Sequence, residues 1–411
     1  MESVDILIKN ANELISLKGM DKPRTRNYMS ELGTIKGGSV AIKDGLIFDI
    51  GKNLSYRSEK IINAKNKIVM PGFIDPHTHL VFSGAREFEL DMKLKGLTYM
   101  DILKKGGGIV YTVKETKKAT ESVLVKQARK RLDNMLIHGT TTCEAKSGYG
   151  LDTETEIKIL KAQKKLNEIH PIDIVSTFLG AHAVPKEHSV DDYVQIVTDE
   201  MIPKVYNLSK FCDVFCEKGV FSPSQSRKIL ETGKEYGLVP KIHADEILDT
   251  GGAALASEVG AISADHLLRS NIRGLKLMAK KGVIGVMLPG TPFSLMMKEY
   301  APARKIIDLG VPVSLATDLN PNCWTENMQF IIQLACLNMK MTPAEAICAS
   351  TYNSACAIGL NKKVGSIDKG KQADIIILDC PNHKFIPYHF GINLVETVIK
   401  KGIIIEKSKE S

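Results

Sequence analysis

Ile68-Val-Met-Pro-Gly-Phe-Ile-Asp-Pro-His77-Thr-His79 is an apolar run that ends in two histidines one residue apart. In an extended segment residues i and i+2 point the same way, so both imidazoles can face one ion. Imidazole is a good ligand for zinc or iron(II). A single histidine is usually a polar residue satisfied by its neighbours. A His-x-His closing a strand is more specific to metal.

Three later segments repeat the theme. Lys241-Ile-His243-Ala-Asp-Glu246, Ala264-Asp265-His266 and Ser314-Leu-Ala-Thr-Asp318-Leu-Asn320 each place His or Asp just after an apolar run. Taken singly, each reads as a polar residue capping a strand or helix. Together they put four histidines and an aspartate at the ends of four strands, the first, fifth, sixth and eighth. Several N/O ligands with an open position are what a catalytic metal site requires.

The strands themselves follow a rhythm. Eight short apolar runs occur, at Ile68–Ile74, Thr140–Glu144, Ile174–Leu179, Val214–Glu217, Val239–His243, Ala261–Asp265, Val283–Leu288 and Val313–Thr317. Stretches with helical spacing of apolar residues lie between them, such as Thr155–Leu166. The fold class expected is α/β, a (β/α)8 TIM-type barrel, whose catalytic groups lie at the C-terminal strand ends. A doubly wound open sheet competes, but no GxGxxG follows a first strand. Val4–Lys9, Ser39–Lys43 and Leu46–Ile50 are β-rich, and so are Ala373–Leu378, Val395–Ile399 and Gly402–Ile405. These ends predict a small composite β-sandwich from residues 1–66 and 365–411. The barrel, residues 67–364, is then inserted between its halves.

The chain has 411 residues, enough for this pair of domains. Its net charge is +8, but no block of like charge reaches five residues and aromatic content is 6%. A lysine-rich solvated surface is therefore expected, with no nucleic-acid partner. The eight cysteines show no CxxC pair, which suits a reducing compartment. No run of 18 apolar residues occurs and the first residues lack a secretory pattern, so a cytoplasmic protein without a membrane partner is expected. Lys104-Lys-Gly-Gly-Gly108 lacks the Lys-Ser/Thr of a phosphate loop and reads as a loop near the site's mouth. Gly251-Gly252 is expected to open a helix.

The order PGFIDxHxH, then His243, His266 and Asp318 on later strands, resembles the amidohydrolase superfamily. The terminal sandwich and the closing Gly365-Ser-Ile-Asp-Lys-Gly-Lys-Gln-Ala-Asp374 fit as well. Within it, five motifs resemble the branch that hydrolyses 4-imidazolone-5-propanoate to N-formimidoyl-L-glutamate in histidine breakdown. They are Pro76-His-Thr-His-Leu-Val-Phe-Ser-Gly-Ala-Arg86-Glu, Lys146-Ser-Gly-Tyr149-Gly-Leu, Thr177-Phe-Leu-Gly-Ala-His182-Ala-Val-Pro185, His243-Ala-Asp-Glu246 and Glu326-Asn-Met-Gln329. The resemblance implies one divalent metal ion, zinc or iron, held by His77, His79, His243 and Asp318. It implies that His266 meets the water or the reacting carbonyl and that Asp318, next to that water, can shuttle its proton; which of the two takes the first proton stays open. Glu246 would bind the substrate's ring nitrogen and Arg86 its carboxylate, with Tyr149 and His182 completing the pocket. The expected partner is a small anionic substrate, and a homodimer is the family's usual state.

Two departures stand out. After Asp318 the family commonly has Asn-Pro-Gly-Thr/Ser. Here Asn320 matches, but Asn322 and Cys323 replace the last two residues; Asn320, Asn322 and Cys323 are the expected substrate contacts of this loop, with the one at 323 in question. Asparagine tolerates φ > 0 better than most residues, which would preserve the loop's shape. At strand 4, where two-metal members carry a carboxylated lysine, Lys218 has the wrong alternation, which favours a single ion. A deaminase of a purine, pyrimidine or related ring would use the same metal site, but Arg86 and Tyr149 favour an anionic substrate. A non-catalytic barrel is disfavoured because every expected ligand is retained.

Overall fold

The computed structural model describes residues 2–19, 21–97 and 99–406. Eight strands form one sheet in chain order. They are β1 (Phe73–Asp75), β2 (Thr140–Lys146), β3 (Asp173–Ala181), β4 (Phe211–Cys216), β5 (Val239–Ala244), β6 (Ser263–His266), β7 (Ile284–Met287) and β8 (Val313–Leu315). Each neighbouring pair is parallel. The ends of the sheet meet through a bridge between Thr78 and Leu319. His79 N–H donates to Leu319 O (2.8 Å) and Asp318 N–H to His77 O (3.1 Å). Buried Asp75 completes the closure, accepting from Thr317 N–H (3.1 Å) and Oγ1 (2.5 Å). The architecture is the expected (β/α)8 barrel, and the segments carrying His77 and Asp318 are joined by its closure.

Two strands differ most from expectation, for physical reasons. Ile68–Ile74 is divided. Ile68–Pro71 pairs with Ile375–Leu378 in a terminal sheet, and only Phe73–Asp75 enters the barrel. Gly72 allows the crossing, because a Cβ there would lie 2.4 Å from the Thr141 side chain on β2. The terminal sheets thus take in residues beyond position 66. β4 begins three residues earlier than its apolar core suggested, at Phe211 rather than Val214. Asp213 is poor strand material by propensity. Here it is buried against Lys146, and tertiary pairing overrides the local preference.

The chain's ends build two packed sheets, as expected. One contains Leu46–Lys52, Gly38–Lys43, Ser3–Ala11 and Arg57–Asn63 in that order. The other runs Ile403–Ile405, Val395–Lys400, Ile375–Leu378, Ile68–Pro71, Glu13–Ile15 and Thr34–Ile35. Ile8, Val40, Ile42, Val69, Ile375 and Ile399 share the core between them. Asp44 and Gly45, both with positive φ, make the expected tight hairpin turn. Helices cover the barrel. Thr153–Ile169 is capped by Asp152, Pro223–Glu235 by a Ser222/Gln225 capping box, and Gly252–Val259 opens from left-handed Gly251. Among the described residues no helix is long and apolar enough to cross a membrane.

Asp173, at the start of β3, ties the barrel to the terminal sheet. Its carboxylate meets Lys400 Nζ (2.8 Å), Lys401 Nζ (2.7 Å) and Gln372 Nε2 (2.8 Å). Burial works to raise its pKa, but Lys400 and the hydrogen bonds outweigh that and hold it below the ordinary value. A depressed carboxylate stabilises the fold fully above its unfolded pKa of about 3.9, and loses that contribution as pH falls through the folded value. Asp173→Asn protein is therefore expected to lose less stability than the parent as pH drops from 5 towards 2. Urea midpoints across that range check it.

Candidate active site

The sites singled out in the sequence converge at the C-terminal mouth of the barrel. His77 and His79 follow β1, His243 lies on β5, His266 ends β6 and Asp318 follows β8. Ring nitrogens of His77, His79 and His243 lie within 4.8 Å of one another. Asp318 Oδ1 is 3.5 Å from His77 Nε2 and 3.6 Å from His79 Nε2. Its other oxygen accepts from Thr291 Oγ1 (2.5 Å). Nε2 of His77 and of His243 is buried without a hydrogen-bond partner. Such atoms are rare in folded proteins and call for an explanation. Three imidazoles and a carboxylate around one point suit a divalent cation. Burial, with Lys146 next, holds His77 well below its usual pKa. Burial, with His182 next, does the same for His79. Both rings are thus neutral and have a lone pair to offer.

Backbone strain aims two of these groups. Along β6 the alternation turns Asp265 inward, which would send His266 the other way. His266 instead has φ +77°, followed by Leu267 at +60°, so the chain curls back and its ring comes 5.4 Å from that of His243. Asp318 has φ +54°. Non-glycine residues in this region are uncommon and cluster at functional sites. His266 Nε2 lies 3.6 Å from Glu246 Oε2. Burial lowers His266 to a pKa of about 4 and raises Glu246 to about 7, although the Glu246 side chain keeps 19% exposure.

The expected pocket residues are present on the same side. His182 stacks on His79 at 4.8 Å, and its Nδ1 is 3.0 Å from Gly148 O. Tyr149 packs edge-on to His182 at 5.4 Å. Arg86 is nearly buried with Nε 3.7 Å from Glu89 Oε1, and its charge reaches His182. Glu89 also accepts from Gly108 N–H (2.6 Å), which fixes the glycine run beside Arg86. Lys218 is exposed, and Glu217 accepts from Ile247 N–H (2.9 Å), so strand 4 offers no carboxylated lysine.

The loop after β8 differs from expectation. The side chain of Asn320 is committed to its own loop, accepting from Asn322 N–H (2.7 Å) and Cys323 N–H (3.0 Å) and donating to Asp318 O (2.7 Å). Its amide shapes the loop. The left-handed residue of this segment is Asp318, not Asn322. Asn322 accepts from Lys93 Nζ (2.5 Å), joining this loop to the helix Phe88–Leu94 beyond Arg86. Cys323 is 2% exposed, with Sγ 3.5 Å from Thr317 O, so its thiol turns into the protein.

The sequence reading gave no role to the buried polar residues beneath the histidines. Asp265 Oδ2 lies 2.7 Å from His77 Nδ1, and Asp213 Oδ2 lies 3.1 Å from His243 Nδ1. Lys146, Glu144 and Lys241 link these carboxylates. Period-two spacing could have found them, since Glu144 and Lys146, and Lys241 and His243, share a face of their strands. Arg131 was also missed. Its guanidinium lies 3.6 Å over the Phe82 ring and donates to Leu80 O (2.7 Å), shaping the segment between His79 and Arg86.

The family model described as the amidohydrolase family matches residues 68–405. A protein of Geobacillus kaustophilus called imidazolonepropionase is 53% identical, with 97% of each chain covered. One of the same name from Alkaliphilus metalliredigens is 50% identical, with 99% of each covered. In fold, the chain is similar to a zinc-bound adenosine deaminase from Xanthomonas campestris, with a TM-score of 0.74 and 17% identity over 98% of this chain and 93% of that one. The chain thus belongs to the amidohydrolase family and, within it, groups with the imidazolonepropionases.

Proposed function

We propose that this protein hydrolyses the ring amide of 4-imidazolone-5-propanoate to N-formimidoyl-L-glutamate, a step of histidine degradation. The observation that carries the reading is near-full-length identity of about half to proteins named for that activity, joined to a mouth lined by Arg86, Tyr149, His182 and Glu246. A single divalent ion, zinc or iron, is assigned to His77, His79, His243 and Asp318. When bound there, it polarises the ring carbonyl and makes hydroxide available near neutral pH. The eight unpaired cysteines fit a cytoplasmic enzyme.

The residues divide the remaining work. Arg86 grips the propanoate carboxylate, because a guanidinium fork matches carboxylate geometry. Glu246 accepts from the ring N–H. Water oxygen adds to the carbonyl carbon, and the acyl carbon–nitrogen bond breaks. We assign the first proton to Asp318, which lies against two ligand imidazoles. It passes that proton to the departing nitrogen, leaving a carboxylate and a formimidoyl amine. His266, neutral near pH 7, hydrogen-bonds the reacting oxygen.

Three experiments check these roles. His77→Ala is expected to lose its stoichiometric metal, while His266→Ala keeps the metal and loses about 10²–10⁴-fold in turnover. Metal analysis of both purified proteins separates the roles, and metal loss from His266→Ala would contradict its placement. The metal-loaded protein should bleach the ultraviolet absorbance of imidazolone propanoate and leave guanine and cytosine untouched; the reverse pattern would favour a deaminase. Arg86→Met should raise KM for the propanoate by about 10–100-fold, the worth of a lost charge-assisted pair.

A further inference from the structure

Lys146 ends β2 with 0% exposure and takes no part in the steps above. Its ammonium lies 2.7 Å from Asp213 Oδ2, 3.0 Å from Glu144 Oε1 and 3.4 Å from Asp265 Oδ2. An ammonium has three N–H donors, and here three carboxylates surround it. The two aspartate oxygens it touches are the ones facing ligand rings, Asp213 Oδ2 towards His243 Nδ1 and Asp265 Oδ2 towards His77 Nδ1. One cation thus sits behind two of the three histidines. Ser263 Oγ donates to the other oxygen of Asp265 (2.7 Å), fixing that carboxylate from a second side.

Carboxylates this close to a metal site have two options. They can orient imidazoles from behind, or they can turn and bind the ion themselves. We propose that Lys146 is a positioning residue of the metal site. Its ammonium holds Asp213 and Asp265 behind His243 and His77, so that the rings are aimed and the carboxylates stay out of the ion's coordination. Lys241 supports the arrangement from the neighbouring strand. It donates to Glu144 Oε2 (2.8 Å) and to Pro76 O (3.1 Å), the carbonyl just before His77. A purely structural ion cluster would stabilise the barrel but need not meet two ligand rings through the same oxygens that the lysine holds.

The inference rests on the assignment of His77, His79, His243 and Asp318 as ligands, and the test separates the two. Wild-type and Lys146→Met proteins are loaded with cobalt(II). Their visible spectra are recorded, and ion affinity is measured by competition with a chelator. Lys146→Met is expected to lose about 10–100-fold in affinity, as removal of a ligand's supporting partner typically does, with a shifted cobalt band. A folded Lys146→Met protein with wild-type affinity and band, and only a lower melting temperature, would overturn the proposal. Should that variant not fold, Lys146→Gln, whose amide can still donate, carries the same reading. A wild-type protein that holds no ion would overturn the ligand assignment itself, and the inference with it.

Discussion

The top of the barrel is governed by the difficulty of keeping charge in a place without water. Lys146, Lys241, Glu144, Asp213 and Asp265 are at 0% exposure and Asp318 at 3%. Isolated charges in such surroundings are very costly, and ion pairs survive only with close geometry and all donors and acceptors engaged. The two lysines and three lower carboxylates form one linked cluster through contacts of 2.7–3.4 Å. Two formal positive charges against four carboxylates still leave an excess of two negative charges. A divalent cation held among His77, His79, His243 and Asp318 would offset it. Neutral imidazoles would add nitrogen ligands without adding charge.

That balance connects fold to chemistry. A parallel barrel brings alternating inward residues of neighbouring strands to one level. Register sets His243 on β5 opposite Asp265 on β6, and Asp265 in turn reaches His77. Closure through Asp75 and Thr317 brings His77 and His79 beside Asp318. The site is therefore a consequence of strand order and closure. The strained turns at His266 and Asp318 are the local concession that turns both side chains into the mouth.

Much of this was legible in the sequence because its signals were local. His77-Thr-His79 after an apolar run, and the strand-end positions of His243, His266 and Asp318, needed only periodicity and strand order to read. The terminal sandwich was legible for the same reason. What escaped depends on long-range contact. Asp213 reads against a strand until Lys146, 67 residues away, is placed beside it. The split at Gly72 depends on a clash with Thr141 that no local pattern reveals. Asn320 and Cys323 sit at positions that suggested substrate contacts, yet the fold turns one onto its own loop and the other into the protein. Asn322 finds a partner in Lys93, on a helix that no local pattern brings near it.

The account's central claim is that one divalent ion is held by three imidazoles and Asp318, with Asp213 and Asp265 behind them. The most direct measurement is a crystal structure of the metal-loaded protein with anomalous data collected on both sides of the zinc and iron absorption edges. The account predicts one anomalous peak at the barrel mouth, about 2.0–2.2 Å from ring nitrogens of His77, His79 and His243 and from an Asp318 oxygen. Two peaks, or a single ion bound directly by Asp213 or Asp265, would contradict it.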